Sequence, residues 1–351
     1  MIDEAKLDGF IDGFMADAAA TAHAATVVLG DRLGLYKSLA AGGPQSAQEL
    51  AARTGFHPRL VEEWLNAQAA SEYCEYDPDT ARYSLTEEQA ACLADESSPT
   101  FLLANAGIVS TLHKDEEHVR KAFAGEAQFG WHEHTHDLFT EISRSSSVDL
   151  SGLLVPEWIP ALEGVEEKLR SGVQVADIGC GYGVPTIMLA QAYEESTFHG
   201  FDYHAASIDS ARKAAAEAGV SDRATFEVAF ADSFPGDDYD LICTFDAFHD
   251  MGNPVVVARR VREALAPDGT WLLTELNARD RIEENLNVFG RFFYSASTFI
   301  CVPNALSQGG TVALGAQAGE AVLREVAVEA GFTRVRRAAD SPFNLVLEVR
   351  P

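Results

Sequence analysis

The stretch Val175-Ala-Asp-Ile-Gly-Cys-Gly-Tyr-Gly183 runs from an apolar strand directly into a glycine-rich turn. A helical pattern follows the turn from Pro185 to Gln191. Because glycine has no side chain, the backbone N–H groups of such a turn can approach a bound small molecule closely. We therefore expect the three glycines of the turn to contact a ligand: Gly179, Gly181 and Gly183.

Two acidic residues near this turn indicate what the ligand is. Asp177 stands two residues before the first glycine, where a pyrophosphate gains nothing from a carboxylate but an ammonium group gains a charged partner. Asp202 ends the next predicted strand, about twenty residues on, where an acid binds ribose hydroxyls. Val184 stands where the dinucleotide pattern needs its third glycine. These features favour a nucleoside with an amino-acid tail, such as S-adenosylmethionine, over a nicotinamide dinucleotide.

The order of strands and helices around the turn predicts the fold class. Helical stretches lie between most of the seven strands, which predicts a mostly parallel, Rossmann-like doubly wound α/β sheet. Only a short turn around Ser341-Pro342 separates the last two strands, so they form an antiparallel hairpin. The predicted strands are Val175–Ile178, Thr197–Phe201, Ala224–Ala229, Leu241–Phe245, Thr270–Leu273, Thr333–Arg337 and Asn344–Val349.

The N-terminal half has a different pattern. Two helices, Ser46–Gly55 and Pro58–Ala70, are joined by a glycine turn and followed by two short extended segments, which is typical of a mainly helical winged-helix domain. We expect this domain at residues 1–98, a helical connector that covers the pocket at 99–168, and the catalytic domain at 169–351. The alanine-rich helix over residues 3–29 suits a subunit interface as well as an internal core.

Composition restricts the partners. The net charge of −28 opposes nucleic acid, and the second helix carries Arg59 against Glu62 and Glu63. A DNA-binding regulator is therefore the less favoured alternative. No apolar run approaches the roughly 18 residues of a membrane span, and the acidic N-terminus lacks a signal-peptide pattern, so we expect a cytoplasmic protein without a membrane partner. The five scattered cysteines fit buried free thiols.

The segment Ala231-Asp-Ser-Phe234 follows the third strand. Asp232 can accept a hydrogen bond from an adenine amino group, and Phe234 can pack on the ring; a plain turn acid is the alternative. The remaining expected cofactor contacts are Tyr203, Ser233 and Phe245.

With these motifs in place, the chain resembles the class I S-adenosylmethionine-dependent methyltransferases over roughly residues 170–351. Its N-terminal half is similar to the winged-helix dimerisation domain of bacterial and plant-type small-molecule O-methyltransferases. The resemblance implies that the acid–glycine turn, Asp202 and the Asp232–Phe234 segment hold methionine, ribose and adenine. It also implies a homodimer, a small-molecule acceptor and S-adenosylhomocysteine as product.

A histidine is the expected base of the reaction. His249 follows the fourth strand in Phe245-Asp-Ala-Phe-His-Asp-Met251, where parallel sheets form their ligand crevice, and a histidine suits proton removal near neutral pH. The segment is similar to the His-Asp-Trp motif of plant-type O-methyltransferases, with Met251 in place of tryptophan. Glu275 matches the acid that orients that histidine. We therefore predict O-methylation of an aromatic or hydroxylated acceptor, with N- or C-methylation and a non-methylating reaction as alternatives.

Three regions are candidates for acceptor binding. Asp250 neighbours the predicted base, and His132 and His136 share a face if Trp131–His136 is helical. No fourth ligand at zinc spacing accompanies these histidines, so we expect no metal there. The long insertion at 278–318 is rich in aromatic residues, of which Phe289 and Phe293 suit a flat acceptor, although ordinary packing would explain them equally.

Overall fold

The computed structural model describes residues 1–310 and 312–351. The chain divides into two compact units, Met1–His113 and Lys114–Pro351. The boundary falls inside the predicted connector, in the middle of a helix. The three-part division predicted from the sequence stays a prediction.

The N-terminal unit is mainly helical. Ser46 and Glu49 form a reciprocal capping box at the start of the third helix, and Gly55 ends that helix with a φ of 76°. The two strands pair antiparallel and form the wing. The elements are α1 (Glu4–Arg32), α2 (Leu35–Gly42), α3 (Ala47–Thr54), α4 (Pro58–Ala70), β1 (Glu75–Asp77), β2 (Arg82–Ser84) and α5 (Glu87–Leu93), and α6 (Leu103–Phe123) crosses the unit boundary.

The C-terminal unit begins with helices and continues as an alternating α/β domain. Its helices and strands are α7 (His136–Ser151), α8 (Ile159–Ala161), α9 (Val165–Ser171), β3 (Gln174–Ile178), α10 (Val184–Ala192), β4 (Thr197–Asp202), α11 (Ala205–Glu217), β5 (Ala224–Val228), β6 (Tyr239–Phe245), α12 (Pro254–Ala264), β7 (Leu265–Leu276), α13 (Val288–Phe299), α14 (Cys301–Ser307), α15 (Gly319–Glu329), β8 (Arg334–Asp340) and β9 (Asn344–Arg350). Short 3-10 helices lie at Trp131–Glu133, Phe248–Asp250 and Ile282–Glu284, and a π-helix at Leu154–Trp158.

The seven strands β3–β9 form one sheet in the order β5-β4-β3-β6-β7-β9-β8. The first five are parallel, whereas β9 pairs antiparallel with both β7 and β8. The predicted doubly wound sheet with a closing hairpin is therefore confirmed. Because the strand order reverses between β3 and β6, their carboxyl ends leave a crevice in which such sheets bind ligands.

Both faces of the sheet are buried. Along β6, Leu241 and Cys243 belong to one apolar cluster, and Ile242, between them, belongs to the other. This period of two places helices on both faces. Within residues 1–310 and 312–351, no helix has both the length and the apolar character that a membrane crossing requires.

Candidate active site

A cleft opens in the C-terminal unit at the carboxyl edge of β3, β4 and β6. Four groups of residues line it, and all of them lie between residues 131 and 308. They are the glycine turn with α10 (Gly179, Cys180, Gly181, Tyr182, Val184, Pro185), the ends of β4 and β5 (Asp202, Tyr203, Ser207, Ala229, Phe230, Ala231), the segment after β6 (Phe245, Asp246, Ala247, Asp250, Met251) and more distant segments (Trp131, Phe139, Ile142, Ser143, Ser146, Leu150, Asn304, Gln308).

The glycines of the turn have positive φ values, which few other residues adopt: 76° at Gly179, 52° at Gly181 and 75° at Gly183. A Cβ on Gly181 would meet no atom within 4 Å, so this backbone is open to a ligand. A Cβ on Gly179 would lie 2.8 Å from the Ala247 Cβ. Gly183 lies outside the cleft lining, and a Cβ there would meet the Phe226 ring at 2.6 Å, so its role is helix–sheet packing.

Asp202 connects the glycine turn to the next strand. Its Oδ2 accepts from the Gly181 N–H at 3.0 Å, and its Oδ1 accepts from the His204 N–H at 2.8 Å. Burial raises the pKa of this carboxyl, while the two backbone donors lower it. The side chain therefore fixes the turn and at the same time lines the cleft, and its predicted contact with a ribose stays a prediction.

Asp177 lies behind the turn and not in the cleft lining. It is 2 % exposed, and its Oδ2 accepts from the Thr186 Oγ1 at 2.5 Å. Its Oδ1 is buried and accepts no hydrogen bond from the described residues. Burial raises the pKa of this carboxyl to about 7. The predicted contact with an ammonium group stays a prediction.

The aromatic contact near β5 needs a correction. Phe234 is 1 % exposed and contacts Phe201 and the Arg260 guanidinium in the core, so it cannot pack on a ring in the cleft. Phe230, four residues earlier, is 60 % exposed, lines the cleft and stacks on Tyr203 with ring centroids 5.7 Å apart. Asp232 and Ser233 are exposed and absent from the lining.

His249 and Glu275 meet at the end of β6 and β7. Glu275 accepts from His249 Nδ1, and its Oε1 also accepts from the His249 backbone N–H at 3.0 Å. His249 is 4 % exposed and does not line the cleft; its Nε2 lies 3.4 Å from Oδ1 of Asp250, which does. Burial lowers the pKa of the imidazole, but the Glu275 and Asp250 carboxylates raise it by a larger amount. The pKa therefore lies well above the usual value.

Two amide side chains hold the segment after β6. Asn304 Nδ2 donates to the Asp250 carbonyl at 3.1 Å, and Gln308 Nε2 donates to the same oxygen at 3.0 Å. Gln308 Oε1 accepts from the Gly252 N–H, and Asn304 Oδ1 accepts from the Trp131 N–H. We call Asn304 and Gln308 the amide clasp. Sequence reasoning missed both, because no motif marks them.

The other predicted acceptor residues lie outside the cleft lining. Phe289 is 45 % exposed and contacts Phe343, and Phe293 contacts Phe292, and their contact with an acceptor stays a prediction. Sequence reasoning also missed cleft-lining positions on α7, among them Ile142, Ser143 and Ser146.

The histidines around Trp131 lie behind the lining. His136 Nδ1 lies 3.3 Å from the Tyr182 hydroxyl, and the His132 ring lies 6.0 Å from the Tyr203 ring. Both therefore approach tyrosines that line the cleft, and neither lines it. His134, between them, is buried with its Nδ1 2.6 Å from Oδ2 of Asp115.

An open glycine turn, an acid at the end of the neighbouring strand and a closing antiparallel hairpin define the fold of the class I methyltransferases. A family model described as a methyltransferase domain matches residues 169–301, and one described as an Rv2258c-like winged HTH domain matches residues 21–95. The chain therefore carries a winged helix-turn-helix domain that is followed in sequence by a methyltransferase domain, and the resemblance predicted from the sequence is confirmed.

Comparison with individual proteins agrees with this assignment. The chain is 33% identical over 107 residues to 27-O-demethylrifamycin SV methyltransferase of Amycolatopsis mediterranei, covering 30% of this chain and 39% of that protein. It is 29% identical over 130 residues to dimethylglycine N-methyltransferase of Parasynechococcus marenigrum, covering 36% and 46%. These matches span less than half the length of either relative.

Among solved structures, human N-acetylserotonin methyltransferase in complex with SAM shares the fold. Its TM-score is 0.69 at 15% identity, over 99% of this chain and 98% of that one. Together the comparisons show that residues 169–301 match a methyltransferase domain and that the chain shares its fold with a methyltransferase of known structure.

Proposed function

We propose that this chain transfers a methyl group from S-adenosylmethionine to an oxygen atom of a small-molecule acceptor. The observation that carries the proposal is the open glycine turn beside Asp202 in the cleft of a methyltransferase domain. S-adenosylmethionine supplies an electrophilic methyl group on a sulfonium. What the protein adds is position, since the acceptor atom has to lie in line with the bond that breaks.

The residues of the cleft fit this cofactor. Within the described part of the chain, no atom fills the space over Gly181, which admits a ligand next to the backbone, and Oδ1 of Asp177, behind the same turn, has no hydrogen-bond partner. Asp202 would hold the ribose hydroxyls. Tyr203 and Phe230 would contact the adenine, since their stacked rings line the cleft.

His249 is the proposed base, and Glu275 is its positioning residue. Because Glu275 accepts from Nδ1, the other ring nitrogen, Nε2, is left to take a proton. Nε2 lies beside Asp250, which lines the cleft, so a proton leaving an acceptor would reach the imidazole past that carboxylate. The raised pKa means that the imidazole must first lose its own proton.

The test combines cofactor binding with turnover. We expect S-adenosylhomocysteine to bind in calorimetry, and labelled methyl groups to pass to some member of a panel of phenolic and amine acceptors. His249→Ala should keep the affinity for S-adenosylhomocysteine and lower turnover about 10²- to 10⁴-fold. His113→Ala, at an exposed histidine of α6, is the matched control. Heat with NADH but none with S-adenosylhomocysteine would refute the cofactor, and unchanged turnover of His249→Ala across pH would refute the base.

N-methylation is the second candidate, because one matched relative is dimethylglycine N-methyltransferase. An amine needs no general base when it reacts unprotonated, so a His249→Ala variant would retain turnover with the amines of the panel. Transfer to amines alone would replace the oxygen assignment.

We also propose a homodimer formed through the N-terminal unit. The first two-thirds of α1 is exposed, and it carries five apolar side chains that an isolated helix would leave in water. These are Leu7, Phe10, Ile11, Phe14 and Met15. Light scattering should give twice the monomer mass, and Phe14→Asp should halve it, while Asp12→Asn on the same helix should not. A monomer in the unaltered chain would refute this proposal.

A further inference from the structure

A cluster of three potential metal ligands lies beside the proposed base. One ligand atom each from His249, Asp250 and Cys301 lies within 4.8 Å of the other two. In tetrahedral zinc sites, with bonds of about 2.0–2.3 Å, ligand atoms are about 3.3–3.8 Å apart. The three groups therefore need to move by only about an ångström to bind one ion.

The surroundings of His249 match those of a metal-bound imidazole. Metal-binding histidines usually donate their other ring N–H to a carboxylate, which orients the ring. Here Glu275 accepts from Nδ1 and also from the His249 backbone, so that Nε2 faces Asp250. The outer partner of the site is thus already in place.

The other two ligands are buried and held together. Cys301 is 6 % exposed, and Oδ1 of Asp250 is buried without a hydrogen bond from the described residues. The amide clasp ties α14, which starts at Cys301, to the carbonyl of Asp250. This oxygen faces Nε2 of His249 at 3.4 Å, which is longer than a normal hydrogen bond, and a bound cation would satisfy the buried carboxylate better.

We propose that His249, Asp250 and Cys301 bind a zinc-class divalent cation. One nitrogen, one carboxylate oxygen and one sulfur suit zinc and exclude magnesium or calcium, which prefer oxygen alone. Three protein ligands leave a fourth position, as in catalytic zinc sites, and Asp250 places the ion next to the cleft. Binding releases two protons to the solvent, one from the Cys301 thiol and one from Nε2 of the protonated His249 imidazole. The proposal departs from the expectation, based on His132–His136, that the chain binds no metal.

Zinc at this site would inhibit methyl transfer. Nε2 of His249 cannot hold a metal ion and accept a proton at the same time, so occupancy removes the proposed base. This consequence rests on the proposed function, whereas the metal site itself does not.

The absorption spectrum of bound cobalt(II) detects the metal site, and the measurement needs no methyl acceptor. One equivalent of Co²⁺ added to the full-length protein should give a thiolate-to-cobalt band in the near ultraviolet and the visible bands of a tetrahedral ion, and Zn²⁺ should displace both. The Cys301→Ser variant should lose the near-ultraviolet band, and its affinity for zinc should fall at least tenfold. Cys92→Ser, a half-buried cysteine of the N-terminal unit, should keep both. Calorimetry with S-adenosylhomocysteine shows whether each variant is folded.

Three outcomes would overturn the inference: no thiolate band, a band that persists in folded Cys301→Ser, or a stoichiometry well above one. If the Cys301→Ser protein does not fold, loss of the band in a folded His249→Gln variant decides the question. Zinc should also inhibit turnover with the midpoint found for binding, and a chelator should restore it; binding without inhibition would overturn the inhibitory role alone. A protein that binds one cobalt through Cys301 but methylates nothing would refute the proposed function and keep the metal site.

Discussion

The cleft is built in two different ways on its two sides. On the glycine side, residues 179–185 follow β3, and Asp202 ends the neighbouring strand β4. Local sequence alone predicts these residues. On the clasp side, Asn304 contacts Trp131 across 173 residues of chain, and no motif announces either residue. The difference indicates that the glycine side depends on backbone shape, whereas the clasp side depends on packing between distant segments.

Gly179→Ala should give the largest effect if backbone shape governs the glycine side. The new Cβ would meet the Ala247 Cβ at 2.8 Å, with a φ of 76°, and push a residue of the cleft lining. We expect methyl transfer to fall about 100-fold, the order that a displacement of 1 Å costs. Gly219→Ala is the control, because its φ of 71° is equally unfavourable but its surroundings are open. It should lose about 1–2 kcal/mol of stability and keep its affinity for S-adenosylhomocysteine. Equal effects of the two variants would show that strain alone matters.

Asp202→Ala removes the acceptor of two backbone N–H groups in the same region. We expect the dissociation constant of S-adenosylhomocysteine to rise about 10- to 100-fold, since hydrogen bonds to charged groups contribute about 1.5–3 kcal/mol. Asp209→Ala, at an exposed position of α11, should leave it unchanged. An intact affinity in Asp202→Ala would separate the turn from cofactor binding.

Cofactor affinity should depend on pH through Asp177. The pKa of this buried carboxyl is about 7 without ligand, so it is largely protonated at pH 6 and ionised at pH 8. A cationic amino group favours the ionised form, and binding therefore tightens as pH rises, by up to about tenfold over this range. Calorimetry of S-adenosylhomocysteine from pH 6 to 8 measures it. Asp177→Asn should bind weakly with a flat profile. Thr186→Val, which removes a donor that lowers the pKa, should shift the profile to higher pH. A flat profile in the unaltered chain would contradict the ammonium contact.

The smallest effect on binding is expected for Phe230→Ala. Loss of stacking should raise the dissociation constant about threefold to tenfold, from about 0.5–1.5 kcal/mol, and leave stability nearly unchanged. Phe234→Ala should do the reverse, with a loss of about 3–5 kcal/mol in unfolding free energy, because this ring is buried in the core. Denaturant melts and calorimetry on the two variants measure both quantities. Reversed results would restore the assignment of Phe234 to the adenine.

Sequence reasoning succeeded where a feature depends on residues close together in sequence, and it failed where contacts between distant residues decide. The strand–turn–helix at 175–191 and the final hairpin depend on neighbours in sequence, and both were predicted within a few residues. The assignment of Phe234 to the adenine failed, because only packing against Phe201 and Arg260, which lie elsewhere in the chain, decides that this ring is buried.

The insertion at 278–318 shows the same limit of local sequence. Aromatic residues suit an acceptor pocket and ordinary packing equally, so composition could not show that Phe289 turns toward Phe343. The segment reaches the cleft instead through two amides, whose role depends on a carbonyl oxygen more than 50 residues away in the chain.

The amide clasp makes one backbone amide, the Gly252 N–H, a probe of local opening in this part of the protein. Among the described residues, the Gly252 N–H donates only to Gln308, the residue directly after α14, so deuterium replaces its proton readily only when the Gln308 side chain moves away. The exchange rate of this single amide, measured with and without ligands, would therefore report how often Gln308 separates from the segment after β6.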